Sequence, residues 1–135
     1  MREIKIYSDG GSRGNPGQGA VGFVVYEGQK EIYKKGERIG HCTNNEAEYQ
    51  AVLKALSYIE DKVKDGKVDF YLDSELVVKQ LNGEYRVKDA KLKPLFLKIR
   101  EKVIECGGPV SFSHISREKN KIADSLVNAT LDAAT

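Results

Sequence analysis

The chain has 135 residues, 40% of them hydrophobic and 31% charged, and carries a formal net charge of +2. That length suits one domain with a real core and is too short for a catalytic domain plus a separate binding domain, so residues 1–135 are expected to form a single domain. Cys42 and Cys106 are too few and too far apart for a disulfide framework. With no long apolar run and no basic leader followed by one, the expectation is a soluble, cytoplasmic, monomeric protein that does not enter a membrane.

The first apolar run, Ile4 to Tyr7, reads as a strand that ends on Asp9, and ten residues rich in Gly, Asn and Pro follow as a glycine-lined loop. Ala20 to Tyr26 reads as a buried strand, Glu27 to Lys30 as a turn, and Glu31 to Ile39 as a more exposed strand, completing an antiparallel meander. Gly17 to Gly22 matches G-x-G-x-x-G, but it leads into a strand where a dinucleotide fingerprint requires a helix, so that reading is set aside. Thr43-Asn44-Asn45-Glu46 is a capping box that opens a helix whose apolar stripe runs through Val52, Leu56, Ile59 and Val63. One turn back along that stripe lies Glu48, a carboxylate on the inward face.

Lys67 to Leu72 is the next strand, again closed by an acid, Asp73, before a short helix from Glu75 to Leu81. A basic loop around Gly83 precedes a helix from about Lys91 to Cys106, with an apolar stripe of Leu92, Leu95, Phe96, Ile99 and Val103. From Lys79 to Lys102 the chain carries eight basic and three acidic residues, a bias suited to a partner with a regular row of negative charge. Val110 to Ser116 is the last strand. Asn120 to Leu131 is the last helix, with Asp124 in its first turns and Ala123, Leu126, Val127 and Thr130 facing inward.

This order of elements predicts an α/β fold: a five-stranded mixed sheet, three antiparallel strands followed by two parallel ones, with helices on both faces. Asp9, Glu48, Asp73 and Asp124 then all fall at the carboxyl edge of the sheet, where open α/β sheets bind ligands. Four clustered carboxylates repel one another unless a cation neutralises them, and an all-oxygen donor set selects Mg²⁺ or Mn²⁺. Two such ions could clamp the attacking and leaving oxygens of a phosphodiester.

Ser8 to Gly17, Thr43-Asn44-Asn45-Glu46-Ala47-Glu48-Tyr49, Asp73-Ser74 and His114 through Asn120 to Asp124 together resemble the type 1 ribonuclease H family over nearly the whole chain. The compact basic loop and Ala47-Glu48-Tyr49 are most similar to its archaeal and short bacterial branch. The resemblance implies an endonuclease that hydrolyses the RNA strand of an RNA/DNA hybrid, leaving 5′-phosphate and 3′-hydroxyl ends, with double-stranded RNA a further substrate of some members. Carried over position by position, it makes Asp9, Glu48, Asp73 and Asp124 the metal-binding carboxylates and His114 a mobile residue assisting proton transfer or product departure. It places Gly10, Asn15, Thr43, Asn44 and Asn45 against the nucleic acid, whose RNA strand is told apart by its 2′-hydroxyls and minor-groove shape. Two readings of other classes stand beside it: a non-catalytic nucleic-acid-binding module, and a structural metal protein built on His41, Cys42, Cys106 and His114.

Overall fold

The computed structural model describes residues 2–133. Five strands, β1 (Glu3–Gly14), β2 (Gly17–Glu27), β3 (Lys30–Cys42), β4 (Lys67–Leu72) and β5 (Val110–His114), form one sheet in the order β3-β2-β1-β4-β5. The pairs β1/β2 and β2/β3 are antiparallel, and β1/β4 and β4/β5 are parallel, as the order of elements predicts. The helices are α1 (Asn44–Lys62), α2 (Glu75–Leu81), α3 (Leu92–Glu105) and α4 (Lys121–Asp132), the last preceded by a 3₁₀ turn at Arg117–Asn120.

Strand alternation assigns the two faces of the sheet. Ile4 and Ile6 of β1 and Val68, Phe70 and Leu72 of β4 pack with Val52, Leu56 and Ile59 of α1 into the main core, which Leu92 and Ile99 of α3 extend. Fully burying each such side chain contributes about 1.5–3 kcal/mol. The opposite face takes a smaller cluster, Ala20 of β2 with Val127 and Leu131 of α4. Helix α4 covers only the meander half of that face, leaving its β4–β5 half without a helix among the described residues.

Two expectations need correction. The ten residues after Asp9 are not a loop: β1 continues to Gly14 and its ladder with β2 runs from Ile4↔Glu27 to Gly14↔Gly17, leaving Asn15 and Pro16 as the turn. The glycines let this happen by pairing as bare strand residues, so a composition that marks turns elsewhere serves an extended hairpin here. Asp9 therefore sits inside β1, just past Tyr7↔Tyr71, the last pair with β4. At the other end of the chain β5 stops at His114, not Ser116, because the next residues turn into the 3₁₀ segment that leads α4 back over the sheet.

Candidate active site

Thr43 caps α1 as its sequence requires: its side chain accepts from the Glu46 N–H at 3.1 Å, and Glu46 Oε1 accepts from the Thr43 N–H at 2.9 Å. This capping leaves Glu48 as the inward acid of the first turns, 5% exposed. Its carboxylate reaches the sheet because Gly10 has no side chain. A Cβ there would collide with the backbone carbonyl of Ala47, and in its absence the Gly10 N–H donates to Glu48 Oε1 at 2.5 Å.

A second bare position works on the opposite face. Asp9 pairs across β1/β2 with Gly22, and a Cβ at Gly22 would stand 2.5 Å from the Ala123 carbonyl oxygen and 2.8 Å from Leu126 Cβ. Helix α4 thus comes down close to the sheet beside Asp9 and brings Asp124 with it. Two neighbouring gaps in the sheet admit one helix start from each side, and the acids of both helices converge on one strand residue.

Asp9, Glu48 and Asp73 each offer an oxygen within 4.8 Å of the others. Asp124 lies outside that tight group but stands close enough to help raise the Asp9 carboxyl, and its Oδ2 accepts from Asn128 Nδ2 at 3.4 Å. All four acids line one polar cleft of about 390 Å³, with Gly10, Ser12, Asn44, Asn45 and Arg117 also on its walls. Among the described residues no Lys or Arg pairs with Asp9, Glu48 or Asp73. Burial above all, then the neighbouring acids, pushes the Asp9 carboxyl up to about 7, against a lowering contribution from its hydrogen bond with Glu48. Glu48 is raised well above the usual carboxylate range, first by burial and next by Asp9. Both shifts run in the direction expected where buried carboxylates lack a neutralising cation. An all-oxygen donor set with that deficit fits a hard divalent cation.

The remaining predicted site residues divide. Asn44 and Asn45 line the cleft, whereas Asn15, Thr43 and His114 stand behind or beside it. Asn15 Oδ1 accepts from the Asn44 N–H at 3.0 Å, and Asn44 Oδ1 accepts from both the Ser12 N–H at 2.9 Å and the Ser12 hydroxyl at 3.1 Å. The Asn44 side-chain oxygen is thereby occupied, and among the described residues its NH₂ group has no hydrogen-bond partner. Gly10 lines the cleft, but its N–H is committed to Glu48. His114 closes β5 opposite Leu72, one residue from Asp73. It carries the parity of Phe112, which stacks on core Phe70, so it leans to the α2 side, with Nδ1 3.9 Å from Glu75 Oε2.

Sequence reasoning missed Ser12, Arg117 and Asn120 as site residues. Asn120 is 1% exposed and its Nδ2 donates to the Ser8 carbonyl at 2.9 Å and to Asp73 Oδ2 at 3.1 Å, joining β1, β4 and the entry to α4. A polar residue placed just before a helix reads as an ordinary cap, and nothing local marks the long-range contacts. The basic stretch is also less uniform than its charge: Lys102 is spent on Glu60 at 2.7 Å, and Lys79 lies over the Tyr85 ring, while Lys88, Lys91 and Lys93 are exposed.

Residues 7–130 match a family model described as reverse transcriptase-like. The chain is 39% identical over 132 residues to ribonuclease HI of Halobacterium salinarum, spanning 97% of this chain and 65% of that protein's length. The crystal structure of RNase H1 from that archaeon superposes with a TM-score of 0.92 at 38% identity, covering 98% of this chain and 99% of that one. LC11-RNase H1, solved in complex with an RNA/DNA hybrid, gives 0.93 at 42% identity over 98% and 99% of the two chains. The N-terminal RNase H domain of a Mycobacterium tuberculosis protein, solved as a fusion with maltose-binding protein, gives 0.92 at 31% identity over 99% and 96%. That mycobacterial protein is called bifunctional, and this chain spans 36% of its length. With the expected mixed sheet in place and these likenesses spanning nearly the whole chain, the chain belongs to the type 1 ribonuclease H family.

Proposed function

We propose that this protein is a metal-dependent endoribonuclease that hydrolyses the RNA strand of RNA/DNA hybrids, leaving 5′-phosphate and 3′-hydroxyl ends, and that residues 1–135 act as one catalytic unit. The observation that carries the reading is the convergence of Asp9, Glu48 and Asp73 within 4.8 Å, with Asp124 against Asp9, on the floor of an open polar cleft. It is supported by the close likeness to an RNase H1 solved with its hybrid.

Asp9, Glu48, Asp73 and Asp124 would hold Mg²⁺ or Mn²⁺, two ions once substrate is present, supplying an activated water and charge neutralisation at the scissile phosphate. Asp9, central to the cluster, would help hold both ions. Gly10 holds Glu48 through its N–H, and Asn120 holds Asp73, so both carboxylates are oriented before any ligand arrives. The free NH₂ of Asn44, fixed by Ser12 and Asn15, presents a donor to the RNA 2′-hydroxyl, and Asn45 adds a second polar group on the same wall. Thr43 contributes by fixing the start of α1. His114, exposed at the end of β5, would swing from Glu75 to take or deliver a proton at the leaving oxygen.

Among the described residues no helix is long and apolar enough to cross a membrane. The test is to incubate the protein with an RNA/DNA hybrid, double-stranded RNA and double-stranded DNA of one sequence, each in Mg²⁺, Mn²⁺ or EDTA. Cleavage of the hybrid's RNA strand is expected in either metal and not in EDTA, with double-stranded RNA cut more slowly and DNA left intact. Preference for double-stranded RNA, or cleavage of DNA, would replace the hybrid reading.

A further inference from the structure

A second cleft, about 450 Å³, opens on the same sheet face as Asp9 but toward the amino end of β1. Its floor is aromatic. Tyr7, two residues before Asp9 and on the same face, meets Tyr26 edge to face, with centroids 5.8 Å apart and planes at 85°, and stacks on Tyr71 at 5.0 Å. Both Tyr7 and Tyr26 are half-buried, so part of each ring meets solvent. Lys5, Lys119 and Lys121 are exposed on the rim against one rim acid, Glu118.

Asn120 forms the wall between the two clefts. It lines this one, its Nδ2 holds Asp73 of the other, and its Oδ1 has no hydrogen-bond partner among the described residues although the side chain is buried. Strand geometry puts Tyr7 about 7 Å from Asp9 and Lys5 about 13 Å away along β1. A strand leaving the acidic cleft past Asn120 therefore meets ring faces and then ammonium groups, the combination by which proteins hold single-stranded nucleic acid irrespective of sequence.

We propose that this cleft binds a single-stranded extension of the duplex engaged at the acidic site, its bases on Tyr7 and Tyr26 and its phosphates at Lys5, Lys119 and Lys121. The inference rests on the nuclease reading and deepens it: substrates with an unpaired end beside the hybrid are gripped more tightly than blunt ones. None of these lysines, nor Tyr26, belongs to the proposed catalytic or hybrid-binding residues.

The test measures fluorescence anisotropy in EDTA, so that binding is read without cleavage, using a blunt hybrid and four hybrids each bearing a four-nucleotide extension on one strand end. The wild-type protein should bind at least one extended hybrid about tenfold more tightly than the blunt one, the gain of one stacked base with its phosphate contacts. The triple variant Lys5→Ala, Lys119→Ala, Tyr26→Leu should lose that gain while keeping its blunt-hybrid affinity, its Mg²⁺-dependent cleavage of blunt hybrid and its thermal midpoint. Equal affinity for blunt and all extended hybrids overturns the proposal. So does a gain that survives in the variant, or a variant that weakens blunt and extended hybrids alike. Failure of the nuclease reading would appear separately, as wild-type protein that does not cleave blunt hybrid in metal.

Discussion

Asp9 and Glu48 are acids kept in a place where acids are costly, and the cost should be measurable. A carboxyl held at about 7 in the folded protein and near 3.8 when unfolded makes the native state the better proton binder between those values. Stability contributed by that proton is present below about pH 4 and is lost as pH rises through 7. Metal-free protein should therefore be less stable at pH 8 than at pH 5, by about 2.5 kcal/mol for this group, and Asp9→Asn should remove most of the difference. Urea unfolding in EDTA at the two pH values measures it; a wild-type slope no steeper than that of Asp9→Asn would mean that the fold does not raise the Asp9 carboxyl. His114 gives a kinetic counterpart, because a proton-transferring group outside the acid cluster should affect turnover and not metal affinity. His114→Ala should lower kcat about 10²-fold with KM and Mg²⁺ dependence nearly unaltered. Full turnover from pH 5 to 9 would reduce the imidazole to a surface neighbour of Glu75.

At the scale of elements, the site depends on how closely two helices can approach one hairpin. Gly10→Ala would drive a methyl group into the Ala47 carbonyl and push the start of α1 outward, taking Glu48 with it. The expected result is a destabilisation of about 1–3 kcal/mol together with a loss of cleavage larger than that loss of stability explains. Gly28→Ala, in the β2–β3 turn, is the control: nothing lies within 4 Å of the added methyl, so only its backbone at φ +62° is strained. Unfolding midpoints and cleavage rates of the two variants check this, and wild-type cleavage by Gly10→Ala would show that Glu48 does not need the gap. The helices and the mixed sheet were legible because capping boxes and apolar periods are local signals, and Thr43, Val52, Leu56 and Ile99 carry them openly. The glycine hairpin was not: a bare position made for a helix on the far side of the sheet has the composition of a turn. Asp9, Glu48, Asp73 and Asp124 could be placed at one edge from topology alone, whereas the contacts of Asn120 and Ser12 come from residues 112 and 32 positions away in the chain.

Across the whole molecule, the acids gathered at one edge of the sheet leave a compensating positive bias elsewhere. The exposed Lys88, Lys91 and Lys93 precede or open α3, beside a groove containing Tyr85 and Phe96, where a duplex lying over the acidic cleft could meet them with its phosphates. Neutralising the three together should weaken hybrid binding and flatten its dependence on salt by up to about three counterion units, while single-turnover cleavage of bound hybrid changes little. An unchanged salt slope would make this stretch a solvated helix face. The most direct measurement of the central claim is cleavage of a hybrid labelled on its RNA strand by wild type and by Asp73→Asn, in Mg²⁺ and in EDTA. The exchange is nearly isosteric and retains an oxygen to accept from Asn120, so the fold should persist, more stable without metal by about 1 kcal/mol for the repulsion removed. Wild type should cleave the RNA strand only with metal, and the variant should lose about 10³-fold or more; wild-type cleavage in EDTA, or an Asp73→Asn protein that cuts at the wild-type rate, would mean that the four acids do not form a metal site for cleavage.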